Sequence, residues 1–319
     1  MEKILFSSKP KEGESWDVVI IGSGPAGLTS AIYTTRSALS TLIIGGSVWG
    51  GQLMLTTVVD NFPGFPEGIS GPDLMEKMRE QAERFGAEFI QADTQKVNLT
   101  KMPFEIEAEG KIYKARSVII ATGAETIWLD VPGIREFIGR GVSSCAPCDA
   151  PFFKNKKVAV VGGGDTAMEE AYTLTKYAQE VVIIHRRDAF RASEAMQKKI
   201  IDNPKVKILW NSEVKEIKGT DKLEKLVLIN NKTNEISELP IDGVFIAIGH
   251  KPQSTIFGDQ IEVDERGFIK IAGKHSKTSK EGIFVAGDVM DPYYKQAITA
   301  AASGCIAAME VVAYLEKNN

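Results

Sequence analysis

The sequence predicts an α/β protein made of two Rossmann-like domains, the second inserted into the first. Two observations support this fold class. A glycine-rich turn between an apolar run and a helix-like segment occurs twice, at residues 22–27 and 162–167. A further strand, at residues 282–286, and a long helical segment follow the second of these units. The chain therefore begins one nucleotide fold, is interrupted by a second, and returns to finish the first.

The first unit opens with the apolar run 16–21, which has the composition of a buried parallel strand. Residues 28–37 have helix-like character, and the turn between the two segments reads Gly22-Ser23-Gly24-Pro25-Ala26-Gly27. In such a unit the glycines permit a tight turn and close approach of the backbone, and the helix N-terminus offers N–H groups to a pyrophosphate. We therefore predict that this turn binds a dinucleotide.

The strand that follows, at residues 41–44, ends in two glycines and has no acidic residue at its tip. A carboxylate at that position usually holds a ribose hydroxyl. Gly50, Gly51 and Gln52 suggest instead that the chain passes close to a bulky ligand, although a plain flexible turn would have the same composition.

The chain leaves the first fold and returns to it at two strand ends that contain glycine. Thr122 and Gly123 follow the strand at residues 118–120, and Gly249 follows the strand at residues 244–247. Glycines at two crossings would serve as a hinge, although glycine at a strand end often only relieves crowding. The predicted domains are residues 1–124 and 251–319 for the outer fold and residues 125–250 for the inserted one.

Within the inserted part, one stretch reads Cys145-Ala146-Pro147-Cys148-Asp149. A C-x-x-C spacing lets two sulfurs close a disulfide and exchange it with an incoming disulfide through a mixed disulfide. An adjacent carboxyl group can accept and donate the proton that thiol and thiolate exchange. Two unconnected buried cysteines are the plain alternative, and Asp149 argues against it.

Zinc is the rival ligand for this cysteine pair. Structural zinc usually needs four ligands, and the chain adds only Cys305 and three histidines, none of them in a second paired motif. We therefore predict no metal site. Cys305 lies in an apolar helical segment, where we expect a small buried residue.

The second nucleotide unit repeats the pattern of the first. Residues 158–161 form its strand and residues 168–177 its helix, with the turn Gly162-Gly163-Gly164-Asp165-Thr166-Ala167 between them. The chain is therefore predicted to bind two dinucleotides.

The loop after the next strand distinguishes the two ligands. That strand, at residues 181–184, leads into His185-Arg186-Arg187-Asp188-Ala189-Phe190-Arg191. Arginines where an NAD site would place a carboxylate favour a 2′-phosphate, and hence NADPH over NADH. A basic surface loop is the alternative.

The C-terminal strand, residues 282–286, ends in Gly287-Asp288, and a helical segment runs from near Gln296 through Val312. A carboxylate at a strand end can hold a ribityl or ribose hydroxyl. The start of the helix would direct partial positive charge at its neighbour, which suits a reduced flavin. An aspartate that serves only as a turn or cap is the alternative.

Composition limits the partners and the compartment. The 319 residues carry a net charge of −4, which provides no basic field for nucleic acid, and no apolar run approaches the roughly 18 residues of a membrane span. The first residues lack a signal-peptide pattern. We expect a cytoplasmic protein, where its three cysteines are more often catalytic than structural.

Taken together, the motifs resemble the low-molecular-weight, bacterial-type thioredoxin reductases, which are class II pyridine nucleotide-disulfide oxidoreductases. The similarity spans nearly the whole chain and is carried by IGSGPAGLTSAIYTTR, GGQLMLTTVVDNFPGFPEGISGPDLMEKM, IIATGA, SSCAPCD, VAVVGGGDTAMEEA, HRRDAFRAS, VFIAIGHKP and VAGDVMDPYYKQAITAAASGC. The resemblance implies FAD in the outer domain, NADPH in the inserted domain, a homodimer, and thioredoxin as the disulfide substrate.

It also implies a role for each matched position. Cys148 takes the place of the flavin-facing sulfur, Cys145 that of the sulfur that attacks thioredoxin, and Asp149 the acid-base place. The positions implied to contact FAD are Gly22, Ser23, Gly24, Pro25, Ala26, Gly51, Gln52, Asn61, Thr122, Gly123, Gly287, Asp288, Gln296, Ala297 and Ile298. Those implied to contact NADPH are Gly162, Gly163, Gly164, Asp165, Thr166, His185, Arg186, Arg187, Arg191 and Ile248.

Three places depart from the common family pattern. Pro147 stands where Thr or Val is usual, Ala150-Pro151 replaces a glycine followed by an apolar residue, and Lys295 replaces an arginine. Because proline lacks an N–H, fewer backbone donors lie near the nascent thiolate, so redox poise or partner choice can differ. The alternative function is a flavin disulfide reductase that serves another thioredoxin-like or a peroxiredoxin-linked partner.

Overall fold

The computed structural model describes residues 9–318, which fold as two compact units. One unit extends to Glu125 and resumes at Lys251, and the other is Thr126–His250. The first crossing therefore lies one residue after the boundary expected from the sequence. The two strands that contain the crossings, Ala124–Thr126 and His250–Pro252, pair as a small separate sheet.

Within the described residues the strands alternate with six α-helices and three 3₁₀ helices. The strands are β1 (Trp16–Ile21), β2 (Thr41–Ile44), β3 (Val58–Val59), β4 (Ile69–Ser70), β5 (Glu88–Ile90), β6 (Thr94–Asn98), β7 (Phe104–Ala108), β8 (Lys111–Ile120), β9 (Ala124–Thr126), β10 (Val142–Ser143), β11 (Lys157–Val161), β12 (Glu180–His185), β13 (Val206–Trp210), β14 (Ser212–Gly219), β15 (Leu223–Asn230), β16 (Ile236–Pro240), β17 (Gly243–Ile246), β18 (His250–Pro252) and β19 (Ile283–Val285). The α-helices are α1 (Pro25–Arg36), α2 (Gly71–Arg84), α3 (Ala146–Asp149), α4 (Asp165–Thr175), α5 (Glu194–Ile201) and α6 (Ala297–Lys317), and the 3₁₀ helices are Gly51–Leu55, Ala150–Phe153 and Thr255–Gln260.

A seven-stranded sheet forms the centre of the first unit, in the order β5-β2-β1-β8-β7-β6, with β19 also paired to β8. The long strand β8 changes partners along its length. Its first half pairs antiparallel with β7, and its last three residues pair parallel with β19. Because β19 lies beside the end of β8, the C-terminal part of the chain completes the sheet that the N-terminal part begins.

Helices α1 and α6 cover one face of this sheet and cross each other closely. A Cβ on Gly304 would lie 2.2 Å from the carbonyl oxygen of Ala26, so only glycine fits at the crossing. The Ser30 hydroxyl donates to the Gly304 carbonyl at 2.9 Å. Small residues thus allow α6 to pack directly on the helix that follows the first glycine-rich turn.

By length and by a mean hydropathy of 1.6, α6 could cross a membrane, although its sequence contains no long uninterrupted apolar run. Its small residues face α1 and the sheet, and Ala307, Ala308 and Val311 are fully buried. One side of α6 thus packs in the first unit, and 39% of its most apolar window is buried.

The second unit repeats the parallel arrangement with five strands in the order β10-β17-β11-β12-β13. A three-stranded antiparallel sheet, β14-β15-β16, is added to it. In both units the strand before the glycine-rich turn, β1 or β11, is central in its sheet, and the turn lies at the carboxyl end of that strand. This is where open α/β sheets bind ligands.

Candidate active site and dinucleotide sites

The cysteine pair lies at the start of the short helix α3. Cys145 is the residue before its first turn, and its sulfur is bonded to that of Cys148, with a Cα–Cα distance of 5.3 Å. The Cys145 carbonyl accepts hydrogen bonds from the N–H groups of Cys148 at 3.2 Å and Asp149 at 3.1 Å. The loop therefore holds both sulfurs in one turn of helix, as disulfide exchange requires.

Pro147 occupies the second position of α3 and is exposed. The first N–H groups of a helix have no partner within that helix, so proline is tolerated there. Pro147 therefore leaves the turn intact, although it offers no N–H to a sulfur beside it.

Asp149 is the carboxyl group nearest in sequence to the disulfide and is half-buried. Burial raises the pKa of Asp149, and a hydrogen bond with the Ser143 hydroxyl partly offsets this. The Cys145 N–H also donates to the Ser143 oxygen, at 3.1 Å. Ser143 thus links the predicted acid-base group to the backbone of Cys145.

A second carboxylate reaches the same loop from α4. The N–H of Ala146 donates to Glu170 Oε2 at 2.5 Å, and Ala146 is fully buried. Glu170 was not among the residues expected from the sequence. The two residues are 24 positions apart, and neither stands in a motif that links them.

The second glycine-rich turn connects β11 to α4, and two of its glycines are required by close packing. A Cβ on Gly162 would lie 2.4 Å from the Ala247 carbonyl oxygen, and one on Gly163 would lie 2.2 Å from the His185 ring. A Cβ on Gly164, by contrast, would meet no described atom within 4 Å beyond the local backbone. Packing within the protein does not explain Gly164, whereas close approach of a phosphate does.

His185 lies beneath this turn. Its side chain is only 6% exposed, and its Nε2 lies 3.0 Å from the Ala189 carbonyl oxygen. Burial lowers the pKa of His185, and the charges of Arg191 and Arg187 add to that effect. The buried His185 ring packs against Gly163 and so supports the shape of the turn, and its contact with NADPH stays a prediction.

The three arginines of the same loop, Arg186, Arg187 and Arg191, are exposed. The Arg191 N–H donates to the Gly163 carbonyl at 2.8 Å, which ties the loop to the glycine-rich turn. Asp165 accepts from the N–H and the hydroxyl of Ser193, both at 2.9 Å, and these bonds lower the pKa of Asp165.

The turn between β15 and β16 supports the arginine loop from the other side. Asn231 Nδ2 donates to the Arg186 carbonyl at 2.7 Å. Lys232 Nζ lies 2.9 Å from Asp188 Oδ2, and that hydrogen bond lowers the pKa of Asp188. The single acidic residue between the arginines is thus paired with a lysine, which leaves the loop with a net positive charge.

The first glycine-rich turn has the same construction. A Cβ on Gly22 would lie 2.2 Å from the Ala121 carbonyl oxygen, whereas one on Gly24 would meet no described atom within 4 Å beyond the local backbone. Gly51 approaches this turn, because its Cβ would lie 3.6 Å from the Gly24 Cα. Ser23 is buried and serves the turn, with its hydroxyl donating to the Gly45 carbonyl at 2.6 Å and accepting from the Gly50 N–H at 2.9 Å.

Asp288 follows β19 at the carboxyl end of the first sheet. Its Oδ1 atom is buried and has no hydrogen-bond partner among the described residues. The pKa of Asp288 is raised to about 6, mainly by burial and also by the charge of Asp291, with Lys295 opposing the shift. A buried carboxylate oxygen without a donor fits a site that receives a ligand hydroxyl.

Gly287 and the start of α6 complete this edge. Gly287 has a φ of 78°, and its Cβ would lie 2.9 Å from that of Ala26 in the first glycine-rich turn. The side chain of Gln296 caps α6 and accepts from Asn61 Nδ2 at 3.2 Å. Asn61 and Gln296, which are 235 residues apart in sequence, are thus brought together.

The remaining expected residues lie in helices or in the segments between strands. Thr122 donates its hydroxyl proton to the Gln253 carbonyl at 2.6 Å, and Ile248, after β17, is 38% exposed. Pro25 is the first residue of α1, which begins three residues earlier than expected. Gln52, Gly123, Thr166, Ala297 and Ile298 are exposed or half-buried.

Cys305 differs from expectation. It lies on α6 but is half-buried rather than buried, and a hydrogen bond with it is the largest cause that raises the pKa of Tyr33. The crossing of α1 and α6 places it at the helix margin, because the small residues beside it occupy the contact. Among residues 9–318, no cluster of three potential metal ligands occurs.

Comparison with known proteins agrees with this geometry. Residues 16–304 match the family model for pyridine nucleotide-disulphide oxidoreductases. The thioredoxin reductase of Streptomyces coelicolor is 49% identical, over 94% of this chain and 94% of its own. NADPH-dependent thioredoxin reductase 3 of Arabidopsis thaliana is 48% identical, over 98% of this chain and 61% of its own. The crystal structure of thioredoxin reductase from Streptococcus pyogenes, 42% identical, superposes with a TM-score of 0.90 over 95% of this chain and 99% of its own.

Proposed function

The chain belongs to the pyridine nucleotide-disulphide oxidoreductase family, and from this membership and its disulfide we infer that it is an NADPH-dependent thioredoxin reductase containing FAD. The observation that carries this inference is the Cys145–Cys148 disulfide at the first turn of α3, with Asp149 beside it. Relatives named thioredoxin reductase cover nearly the whole chain at about half identity, which supports thioredoxin as the substrate.

The residues at the first sheet edge fit FAD. The open space at Gly24 would admit a pyrophosphate to the start of α1, and the orphan oxygen of Asp288 would accept a hydroxyl of the ribityl chain. FAD held there, with NADPH in the second unit, would supply hydride and two-electron transfer chemistry to the disulfide.

The residues of the second unit fit NADPH. The open space at Gly164 admits a pyrophosphate to the start of α4, and the exposed arginine loop offers planar donors to a 2′-phosphate. Lys232 strengthens that preference, because it pairs with Asp188, whose carboxylate would otherwise repel the phosphate.

The chain's own chemistry is thiol–disulfide exchange. Two electrons and two protons convert the Cys145–Cys148 disulfide to a dithiol. The Cys145 thiolate then attacks one sulfur of the thioredoxin disulfide, and the other thioredoxin sulfur leaves as a thiolate. Cys148 resolves the mixed disulfide, which regenerates the protein disulfide and releases reduced thioredoxin. In this proposal Asp149 takes the proton from the attacking thiol and returns one to the leaving sulfur.

We also propose that the two units reorient between half-reactions, because the nicotinamide and the disulfide both belong to the second unit and both need the flavin. The two crossings support this, since Gly123 has a φ of 73° and Gly249 a φ of 126°, both in a region that favours glycine. A crosslink between the units that leaves thioredoxin turnover unchanged would contradict this part of the proposal.

The assembly and the compartment are further parts of the proposal. A homodimer is supported by the resemblance to the low-molecular-weight reductases, and size-exclusion chromatography with light scattering tests it. A cytoplasmic location is supported by the thiol chemistry, which needs a reducing compartment.

The test is anaerobic turnover of the yellow holoprotein. We expect sustained oxidation of NADPH when oxidised thioredoxin is supplied, and much slower oxidation with NADH because NADH lacks the 2′-phosphate. NADPH oxidation that does not depend on thioredoxin, but does depend on a thioredoxin-like or peroxiredoxin-linked protein, would favour the alternative substrate class. Faster turnover with NADH would overturn the assignment of the arginine loop.

A further inference from the structure

We propose that Asn231 is a positioning residue for cofactor selectivity, which fixes the backbone of the arginine loop (residues 185–191) so that the Arg186 guanidinium is ready to receive a 2′-phosphate. This inference rests on the proposed function, because it takes NADPH as the ligand of the second unit. It gives the added three-stranded sheet a part in selecting that ligand. Asn231 lies in the turn between β15 and β16, outside the glycine-rich and basic motifs of the sequence.

Two successive carbonyl groups of the arginine loop accept hydrogen bonds from residues next to the added sheet. Asn231 Nδ2 donates to the Arg186 carbonyl at 2.7 Å, and the N–H of Asn211, between β13 and β14, donates to the Arg187 carbonyl at 3.2 Å. The Asn231 N–H in turn donates to the Asn211 carbonyl at 2.7 Å. The backbone of both arginines is thus held by one connected set of hydrogen bonds, and Asn231 contributes two of them.

The turn that carries Asn231 is closed by its own hydrogen bonds. Asn230 Oδ1 accepts from the N–H groups of Lys232 at 3.0 Å and Thr233 at 3.1 Å, and the Asn234 N–H donates to the Asn230 carbonyl at 2.8 Å. Asparagine side chains commonly stabilise turns in this way. The antiparallel pairing of β15 with β16 continues directly from the turn. Asn231 therefore donates to the arginine loop from a preformed support.

A second acceptor orients the amide group of Asn231. Its Nδ2 atom also donates to Glu213 Oε1, on β14, at 3.1 Å. A carbonyl and an ionised carboxylate can only accept, so both require the amide nitrogen rather than the amide oxygen. The hydrogen bond from Asn231 to the Arg186 carbonyl therefore has a fixed direction.

Selectivity for a 2′-phosphate depends on how the guanidinium groups are presented. The arginine side chains of the loop are exposed, and ordering them around a phosphate costs conformational entropy. A backbone that is already fixed lowers this cost, and the planar guanidinium can then donate two parallel bonds to phosphate oxygens. A nucleotide without a 2′-phosphate gains nothing from this fixation. Asn231 should therefore affect only ligands that carry that group.

The experiment titrates the FAD-containing protein, by calorimetry, with two nucleotides that differ only in the 2′-phosphate: adenosine 2′,5′-bisphosphate and adenosine 5′-monophosphate. Asn231→Ala removes the amide, and Asn231→Leu keeps nearly the same shape without a donor. Thr233→Ala is the matched control in the same turn, where the Thr233 hydroxyl accepts from the Glu235 N–H at 3.3 Å. A double-mutant cycle with Arg186→Ala tests whether Asn231 acts through that arginine.

We expect both Asn231 variants to weaken binding of the bisphosphate by about 3- to 10-fold, the usual range for loss of one hydrogen bond, and to leave the affinity for the monophosphate unchanged. In the Arg186→Ala background, the effect of Asn231→Ala should largely disappear. Thr233→Ala should bind both nucleotides as the wild type does.

An unchanged affinity for the bisphosphate, an equal loss for the two nucleotides, or the same loss in Thr233→Ala would overturn the proposal. A full effect of Asn231→Ala in the Arg186→Ala background would overturn it as well. Failure of the proposed function gives a different result, because the wild type itself would then bind the bisphosphate no more tightly than the monophosphate. That result would contradict the NADPH assignment and this inference together.

Discussion

Replacement of Asp288 by asparagine should stabilise the flavin-free protein and weaken its binding of FAD. The Oδ1 atom of Asp288 is buried without a partner among the described residues, and burial raises the pKa of Asp288 from 3.8 to about 6. Asparagine keeps the shape of the side chain and cannot ionise. The substitution therefore removes the cost of a buried charge together with the proposed ligand to the flavin.

The magnitude follows from the shift in pKa. A rise of about two units corresponds to about 3 kcal/mol between the two protonation states. Because the pKa in the folded state is raised, the stabilisation by the protonated carboxyl is complete below pH 3.8 and is lost as pH rises through about 6. At neutral pH the flavin-free wild type should thus be less stable than Asp288→Asn by up to about 3 kcal/mol.

Urea unfolding of the flavin-stripped proteins measures this difference. We expect the unfolding free energy of Asp288→Asn to exceed that of the wild type by an amount that grows by about 2 kcal/mol between about pH 4.5 and 7.5. In parallel, FAD affinity at neutral pH should fall by about 10- to 100-fold, the loss of a hydrogen bond to a charged group. A stability difference between Asp288→Asn and the wild type that does not change with pH, or an unchanged affinity for FAD, would refute the reasoning.

Three further predictions concern single sites. Gly24→Ala and Gly164→Ala should each change the unfolding free energy by less than about 1 kcal/mol, because both glycines have a negative φ and open space around a Cβ. Gly24→Ala should nevertheless abolish FAD binding, measured by flavin retention, and Gly164→Ala should abolish NADPH binding, measured by calorimetry. Asp149→Asn should lower kcat about 100-fold or more and remove the pH dependence of kcat that comes from the raised pKa of Asp149. A variant that keeps the pH profile of kcat would assign the proton transfer to another group. Lys232→Ala should raise the KM for NADPH about two- to five-fold and leave that for NADH unchanged, because free Asp188 repels only the 2′-phosphate.

Local patterns in the sequence predict the sheets well. The apolar runs of β1 and β2 begin and end where expected, because buried parallel strands need continuous apolar sequence. The helices α1 and α4 begin earlier than expected, at Pro25 and Asp165, because the glycine-rich turn itself forms their first residues. Proline fits the first position of a helix, which was a usable signal.

Contacts between distant segments could not be predicted in the same way. Glu170 and Lys232 are ordinary surface types in sequence, and only the fold brings them to Ala146 and Asp188. His185 stands in a basic loop that suggests charge recognition, but the absence of a side chain at Gly163 leaves space that its ring fills. The contact between the His185 ring and Gly163 requires β11 and β12 to be neighbours in the sheet, and the glycine-rich motif alone does not predict this.

Pro147 is better explained by the structure than by the family pattern. The sequence indicates only a lost donor and a stiffer loop. The structure places the proline where a helix does not need its N–H, and it places Glu170 on the neighbouring N–H. The two residues together shape the surroundings of Cys145.

The proposed activity depends on the passage of electrons through the cysteine pair. The decisive measurement is the number of NADPH molecules oxidised for each thioredoxin disulfide reduced, under anaerobic conditions, by the wild type and by Cys148→Ser. We predict a ratio of one for the wild type and no sustained thioredoxin reduction by the variant, with FAD still bound. Sustained reduction of thioredoxin by Cys148→Ser would contradict the central claim.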